Sequence, residues 1–206
     1  MKFSLPCATY VRFSAVCRWA PVEWPQQYIR SLYVERRNNQ LLAIATNVKV
    51  AVIELIGPDI GPDEGCFIAF DDALLQQAHV ETDYSSSIMF DVMPELQFGT
   101  AKTMFGYECL SNIGVFPTDD KIETLAWRNW LPEKLPSVSF GQMQINCRTL
   151  EMMAAAAPSG EIVFPQFIDT RIACVVRDFV DKNWIGVFMP MFDGSRSVPK
   201  VIIPTW

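Results

Sequence analysis

Trp184-Ile185-Gly186-Val187-Phe188-Met189-Pro190-Met191 decides how the rest of the chain is read. A near-unbroken apolar run that stops on a proline predicts a strand whose end has no N–H for the next ladder rung. Such an end either buries itself or lines a groove that receives a partner. Taken alone such a run is more often an ordinary core strand. What sets it apart is that it closes a pattern seen elsewhere in the chain.

That pattern is a short strand, a helix, then three strands, and three copies can be traced. The first predicts a strand at Lys2–Leu5, a helix over Thr9–Arg18, and strands near Ile29–Arg36, Leu41–Thr46 and Lys49–Ile56. Asn38-Asn39 suits the first hairpin turn and the Thr46-Asn47 step the second. After a Gly/Pro loop from Gly57 to Gly65, the second copy predicts a strand at Cys66–Phe70 and a helix over Ala73–Ala78. Asp71 and Asp72 stand where carboxylates accept the orphan N–H groups of a helix start. Strands follow near Ile88–Met93, Thr100–Tyr107 and Glu108–Phe116, with Pro94–Gly99 as a break. The third copy runs from a strand at Gln142–Cys147 through a helix over Arg148–Ala157, stopped by Pro158-Ser159-Gly160. It ends in strands Glu161–Ile168, Arg171–Asp178 and Trp184–Pro190. Strands and helices in this order predict an α+β fold whose units bury their faces against one another. The domain organisation is then 1–117 as two half-units (1–57 and 65–117), a proline-bounded aromatic connector at 118–137, a third half-unit at 138–195, and a tail at 196–206.

Composition narrows the function. The chain has 206 residues, half of them apolar and 19% charged, which suits a folded core and no disordered tail. No apolar run approaches the ~20 residues of a membrane span, and the N-terminal residues lack a signal-peptide core, so a cytoplasmic location without membrane partners is expected. The six cysteines are scattered without a Cys-x-x-Cys pair, as expected of buried reduced thiols, with no metal site. His79 is the single histidine and has no adjacent nucleophile. Asp71 and Asp72 point about 100° apart on a helix, which suits a cap better than an acid/base pair. Neither catalytic residues nor a cofactor are expected. A net charge of −6 disfavours nucleic-acid binding through the whole surface but not through one basic face.

With the repeat in hand, the chain resembles the DNA sliding clamps, in particular short phage and prophage relatives of the bacterial DNA polymerase III beta subunit. Four segments carry the resemblance, in the family's order. Leu41 to Val52 resembles the segment in which an Ala-Thr-Asp-Gly-His-Arg-Leu-Ala run follows a hairpin; Thr46 stands on its Thr, Lys49 on its Arg and Val50 on its Leu, with one residue fewer in the turn. Phe67-Ile68 and the Ala73-Leu74-Leu75 helix resemble the opening of the second half of a clamp domain. Gly114-Val115-Phe116-Pro117, with Trp127-Arg128-Asn129-Trp130-Leu131-Pro132 beyond it, is similar to the family's connector. Gly186 to Met191 matches the closing Val-x-Met-Pro-Met signature.

The resemblance implies a clamp fold with helices on one face and antiparallel sheets on the other, and no chemistry. It implies double-stranded DNA held without sequence preference, and a DNA polymerase or other replication protein bound by a short peptide in an apolar pocket. The pocket residues it implies are Thr46, Lys49, Val50, Val187, Met189, Pro190 and Met191. DNA-facing candidates are Arg12, Arg18, Arg148 and Lys102. Because three half-units leave one without a mate, a homo-oligomer, dimer or tetramer, is expected. Two functions stay open: a processivity factor of phage DNA replication, and a non-enzymatic clamp-fold interaction protein that binds host replication proteins without encircling DNA. The apolar end of the tail, Val201 to Trp206, is itself a candidate occupant of the pocket.

Overall fold

Asn38 and Asn39 both adopt the left-handed conformation, φ 50° and 61°, closing the two-residue turn that matches strand twist. They join β2 (Ser31–Arg37) to β3 (Gln40–Thr46). A computed structural model of the chain describes residues 1–18, 27–47, 49–58, 65–105, 111–117, 145–163 and 174–188. The other elements in chain order are β1 (Lys2–Pro6) and α1 (Cys7–Arg18), which precede that hairpin, and β4 (Val50–Pro58), β5 (Cys66–Ala69), α2 (Asp72–Glu81), β6 (Ser87–Met93), β7 (Phe98–Thr103) and β8 (Ser111–Pro117), which follow it. The last are α3 (Cys147–Ala156), β9 (Ile162–Val163), β10 (Cys174–Asp178) and β11 (Trp184–Phe188).

These eleven strands form one open antiparallel sheet in the order β1-β6-β7-β8-β5-β2-β3-β4-β11-β10-β9. The first two units interlock, because β1 pairs with β6 and β2 with β5. The third joins edge to edge through β11 on β4, Gly186 opposite Val52 and Val187 opposite Ala51. Alternation along each strand then separates two apolar layers. Leu32, Val34, Ala43, Val52, Ile68, Val176 and Trp184 face one way, into a core shared with Tyr10 and Phe13 of α1, Leu74 and Ala78 of α2, and Met153 and Ala156 of α3. All three helices therefore lie on one side of the sheet, as expected of a clamp fold. Tyr33, Leu42, Ile44, Ile53 and Phe67 face the other way and form a second, smaller cluster.

Local chemistry fixes the helices. Asp71 caps α2, its Oδ1 accepting from the Leu74 N–H at 2.7 Å. Its own N–H donates to the Tyr10 hydroxyl at 3.2 Å, tying the cap to α1. Asn146 caps α3 through the Arg148 N–H at 2.9 Å. Glu81 at the end of α2 is buried with no cation partner among the described residues. It accepts from Thr103 Oγ1 (2.6 Å), Gln77 Nε2 (2.8 Å) and Ser86 Oγ (3.2 Å). Burial pushes its carboxyl up, but these donors and the Phe105 N–H outweigh burial and hold it below the usual range.

Several boundaries differ from expectation. The 94–99 break is a single 3₁₀ turn, Pro94–Leu96, closed by Gln97 at φ 54°, so β7 starts at Phe98 and stops at Thr103. Helix α1 begins at Cys7 and α2 extends to Glu81. Of the cysteines, Cys7, Cys17, Cys66 and Cys174 are buried as expected, whereas Cys147, in the first turn of α3, is exposed. The connector at 118–137, residues 142–144 of the strand expected to open the third unit, Met189 to Met191 and the tail lie outside the described residues.

Candidate functional site

On the face away from the helices, Thr46, Ala51 and Val187 stand side by side on β3, β4 and β11, since Ala51 pairs with both others. The next rung is Ile44, Ile53 and Ile185, and directly paired side chains share a face. Two segments far apart in sequence, the β3–β4 hairpin and β11, thus meet in one apolar row. Thr46 is buried, and its hydroxyl donates to the Val50 carbonyl at 2.9 Å, so it presents its methyl to the row while its polar atom closes the turn.

The turn itself is organised by Asn47. Its Oδ1 accepts from the Lys49 and Val50 N–H groups at 3.1 and 3.0 Å. Its Nδ2 donates to the Val16 carbonyl at the end of α1, 3.2 Å away, and lies 3.3 Å from the Met152 sulfur of α3. Asn47 thus supplies an acceptor to the turn and, through its amide, a donor to the helix side.

The structure brings Thr46 and Val187 together but not Val50. Val50 pairs with Phe188, and both point into the helix-side core. The residue beside Thr46 is Ala51. Four residues separate Thr46 from Ala51, and four separate Thr from Leu in the family's run, so the ungapped comparison puts Leu on Ala51, not on Val50. Lys49 is exposed in the turn. Met189, Pro190 and Met191 lie outside the described residues.

The helix side sorts the basic candidates differently from expectation. Arg12 is turned inward: Nη2 lies 2.8 Å from Glu54 Oε2, and Nε donates to the Ala156 carbonyl at 3.2 Å. Glu54 also accepts from Thr9 Oγ1 at 3.1 Å. Burial pushes the Glu54 carboxyl up; Arg12 and Thr9 oppose this in part and Asp181 adds to it, leaving it above the usual range. Lys102 stands on the opposite face, paired with exposed Met89, while its neighbours Ala101 and Thr103 point to α2. Arg18 and Arg148 are exposed on the helix side. A concavity of about 290 Å³ between α1 and α2 is lined by Arg18 together with Arg30, which sequence reading passed over, and by Asp72. Neither arginine has a hydrogen bond or ion pair among the described residues.

Compared by sequence, the chain matches no protein-family model and no curated protein. Its structure is similar to that of a DNA polymerase sliding clamp from Pseudomonas aeruginosa, at 12% identity and a TM-score of 0.65, covering 93% of this chain and 66% of that one. It is also similar to DNA polymerase III subunit beta from Borrelia burgdorferi, solved in complex with a natural product, at 10% identity and a TM-score of 0.58 over 93% and 64% of the two chains. The chain therefore spans a little under two-thirds of the length of these clamps. With its helices on one side of an open, mostly antiparallel sheet, the chain has the fold of the DNA polymerase sliding clamps.

Proposed function

We propose that this chain is a sliding-clamp-like processivity factor of phage DNA replication, a binding protein that turns its helix face to duplex DNA and takes a partner's apolar peptide on the outer face. The observation that carries the reading is the Thr46–Ala51–Val187 row, which joins the two sequence segments most like the clamp family on the side away from the helices. Met189, Pro190 and Met191, which continue directly from β11, extend this site in the proposal, and Lys49 stands at its margin. A few apolar anchors supply most of the energy of such sites, and methionines adapt to varied partners. On the helix side, Arg18, Arg30 and Arg148 are the phosphate contacts, acting without base readout. Assembly of two or more copies through the sheet edges at β1 and β9 would complete a ring.

The decisive experiment compares retention on nicked circular and linear duplex DNA. A closed ring stays on the circle and slides off the linear form; equal loss from both rejects encirclement. One observation favours the second reading, a clamp-fold interaction protein that does not encircle DNA. With Arg12 bound to Glu54 and Lys102 on the far face, the exposed helix side carries few cations among the described residues, and Asp72 and Glu151 stand among them. Under that reading a peptide ending in apolar residues still binds, and binding is lost on Ala51→Asp, while the circular-DNA assay is negative.

A further inference from the structure

We propose that the outer face has a second docking site, at the opposite end of the same strands, that binds an extended acidic peptide through alternating apolar side chains and carboxylates. A groove of about 340 Å³ lies between the β2–β3 turn and the β10–β11 turn. That volume falls in the ~300–1,000 Å³ range of small binding pockets. Leu42, Leu55 and Ile185 form its floor, and Arg37, Arg177 and Lys182 stand round it. The floor continues the Ile44–Ile53–Ile185 rung, but Leu42 is four residues along β3 from Thr46, about 13 Å at strand rise. The groove therefore adjoins the row through Ile53 and Ile185 but centres on the other end of the strands, where its cations stand.

Charge says what the groove takes. The chain carries 23 acidic and 17 basic residues, yet the described lining of this groove contains three cations and no carboxylate. The carboxylate paired with Leu42 across the ladder, Glu35, is buried, accepts from the Tyr33 hydroxyl at 2.7 Å and is not part of that lining. Asp181, beside Lys182, lies outside that lining and accepts from the Asn183 N–H at 2.8 Å. Arg177 is held in place by an Nη1 bond to the Lys182 carbonyl at 3.3 Å, leaving its other guanidinium donors for a ligand. An apolar floor with a basic rim fits leucine-like side chains seated on the sheet with flanking carboxylates on Arg177 and Lys182; nucleic acid would leave the floor unfilled, and a basic peptide would meet the rim with like charge.

The test uses the full chain and a fluorescein-labelled peptide alternating leucine and glutamate, with a leucine/lysine peptide as control, read by fluorescence anisotropy. The acidic peptide should bind, more weakly as salt rises, and the lysine peptide should not. The double variant R177E/K182E should weaken binding about tenfold or more. The milder pair R177Q/K182Q, with an unchanged melting temperature, should give a smaller loss in the same direction. Equal binding of both peptides, or affinity within twofold of the parent in both variants, overturns the proposal. So does a change in sedimentation of R177E/K182E without peptide, which would make the groove a contact between copies of the chain. None of these readouts depends on DNA retention.

Discussion

Replacing Arg12 by Met should cost the fold far more than it costs any DNA contact. The guanidinium is 2.8 Å from Glu54 Oε2, and the two side chains are only 18% and 9% exposed. Removing one member of such a pair leaves the other charge uncompensated in the interior, a loss of about 3–5 kcal/mol. Arg12 also donates to the Ala156 carbonyl, so the same change frees a link between α1 and the end of α3. In a chain of this length the loss corresponds to a fall in melting temperature of roughly 6–20 °C. The penalty should depend on pH with a definite sign. Burial, opposed in part by Arg12, raises the Glu54 carboxyl above its ordinary value of 4.5, so the native state holds this proton to higher pH than the unfolded chain. Such a group contributes fully below the unfolded value, and the contribution is lost as pH rises through the native one. Without Arg12 the native value climbs further, so R12M should be least harmed near ~pH 5 and most harmed at neutral pH and above. Urea unfolding at both pH values measures this. The double variant R12M/E54L should be more stable than R12M alone, because an apolar pair leaves no buried charge behind. A neutral-pH loss below about 1 kcal/mol, or a loss unaffected by pH, would refute the assignment of Arg12 to an internal pair.

Asn47→Ala should cost about 1–3 kcal/mol by removing the acceptor for two turn N–H groups and the donor to Val16, and chemical denaturation would register it. Gly186→Ala should destabilise by about 1–3 kcal/mol and alter the near-ultraviolet signal of Trp184. A Cβ there would lie 2.7 Å from Met153 Cε and 2.8 Å from both the Trp184 ring and Val176 Cγ2. Burial raises the Asp178 carboxyl, but donors from Asp181, Ser159 and Val180 outweigh burial and hold it below its ordinary 3.8. Its contribution is therefore present above the unfolded value and lost as pH falls through the native one; Asp178→Asn should flatten acid unfolding and lower amide protection at Val180 and Asp181. Among the five described cysteines Cys147 should be alkylated first, since Cys17 and Cys66 are buried with thiols pushed up to about 12, and peptide mass mapping reports the order.

Features set by adjacent residues were legible from sequence. The Asn38-Asn39 turn needs two residues tolerant of positive φ, and Asp71 needs only its own reach to Leu74. The meeting of Thr46 with Val187 was legible only through the resemblance. Features that depend on register were not. Whether Val50 or Ala51 faces outward follows from how many residues the turn holds, and a gap of one reverses every side chain after it. Arg12 looked like a helix-surface cation because its partner Glu54 is 42 residues away on another element. Lys102 was within reach of the sequence: it alternates with Ala101 and Thr103, and a strand that buries those two must expose it on the far face.

The candidate peptide site lies at a seam, and that placement has a mechanical consequence. Thr46 and Ala51 belong to the first unit and Val187 to the third, and the sheet passes from one to the other where β11 runs along β4. Three contacts on the helix side hold α3 against the same seam: Arg12 to the Ala156 carbonyl, Asn47 beside the Met152 sulfur, and Met153 over the bare backbone of Gly186. Asn47 belongs to both faces, because the side chain that shapes the turn after Thr46 also reaches α1 and α3. Well-packed joints do not deform gradually, since small displacements are resisted by neighbours at crystal-like density. A shift of α3 against α1 must therefore either leave the outer row untouched or open the β4–β11 seam and separate Val187 from Ala51. Only the second kind of shift would break the outer row, because Val187 then leaves Ala51 together with the third unit.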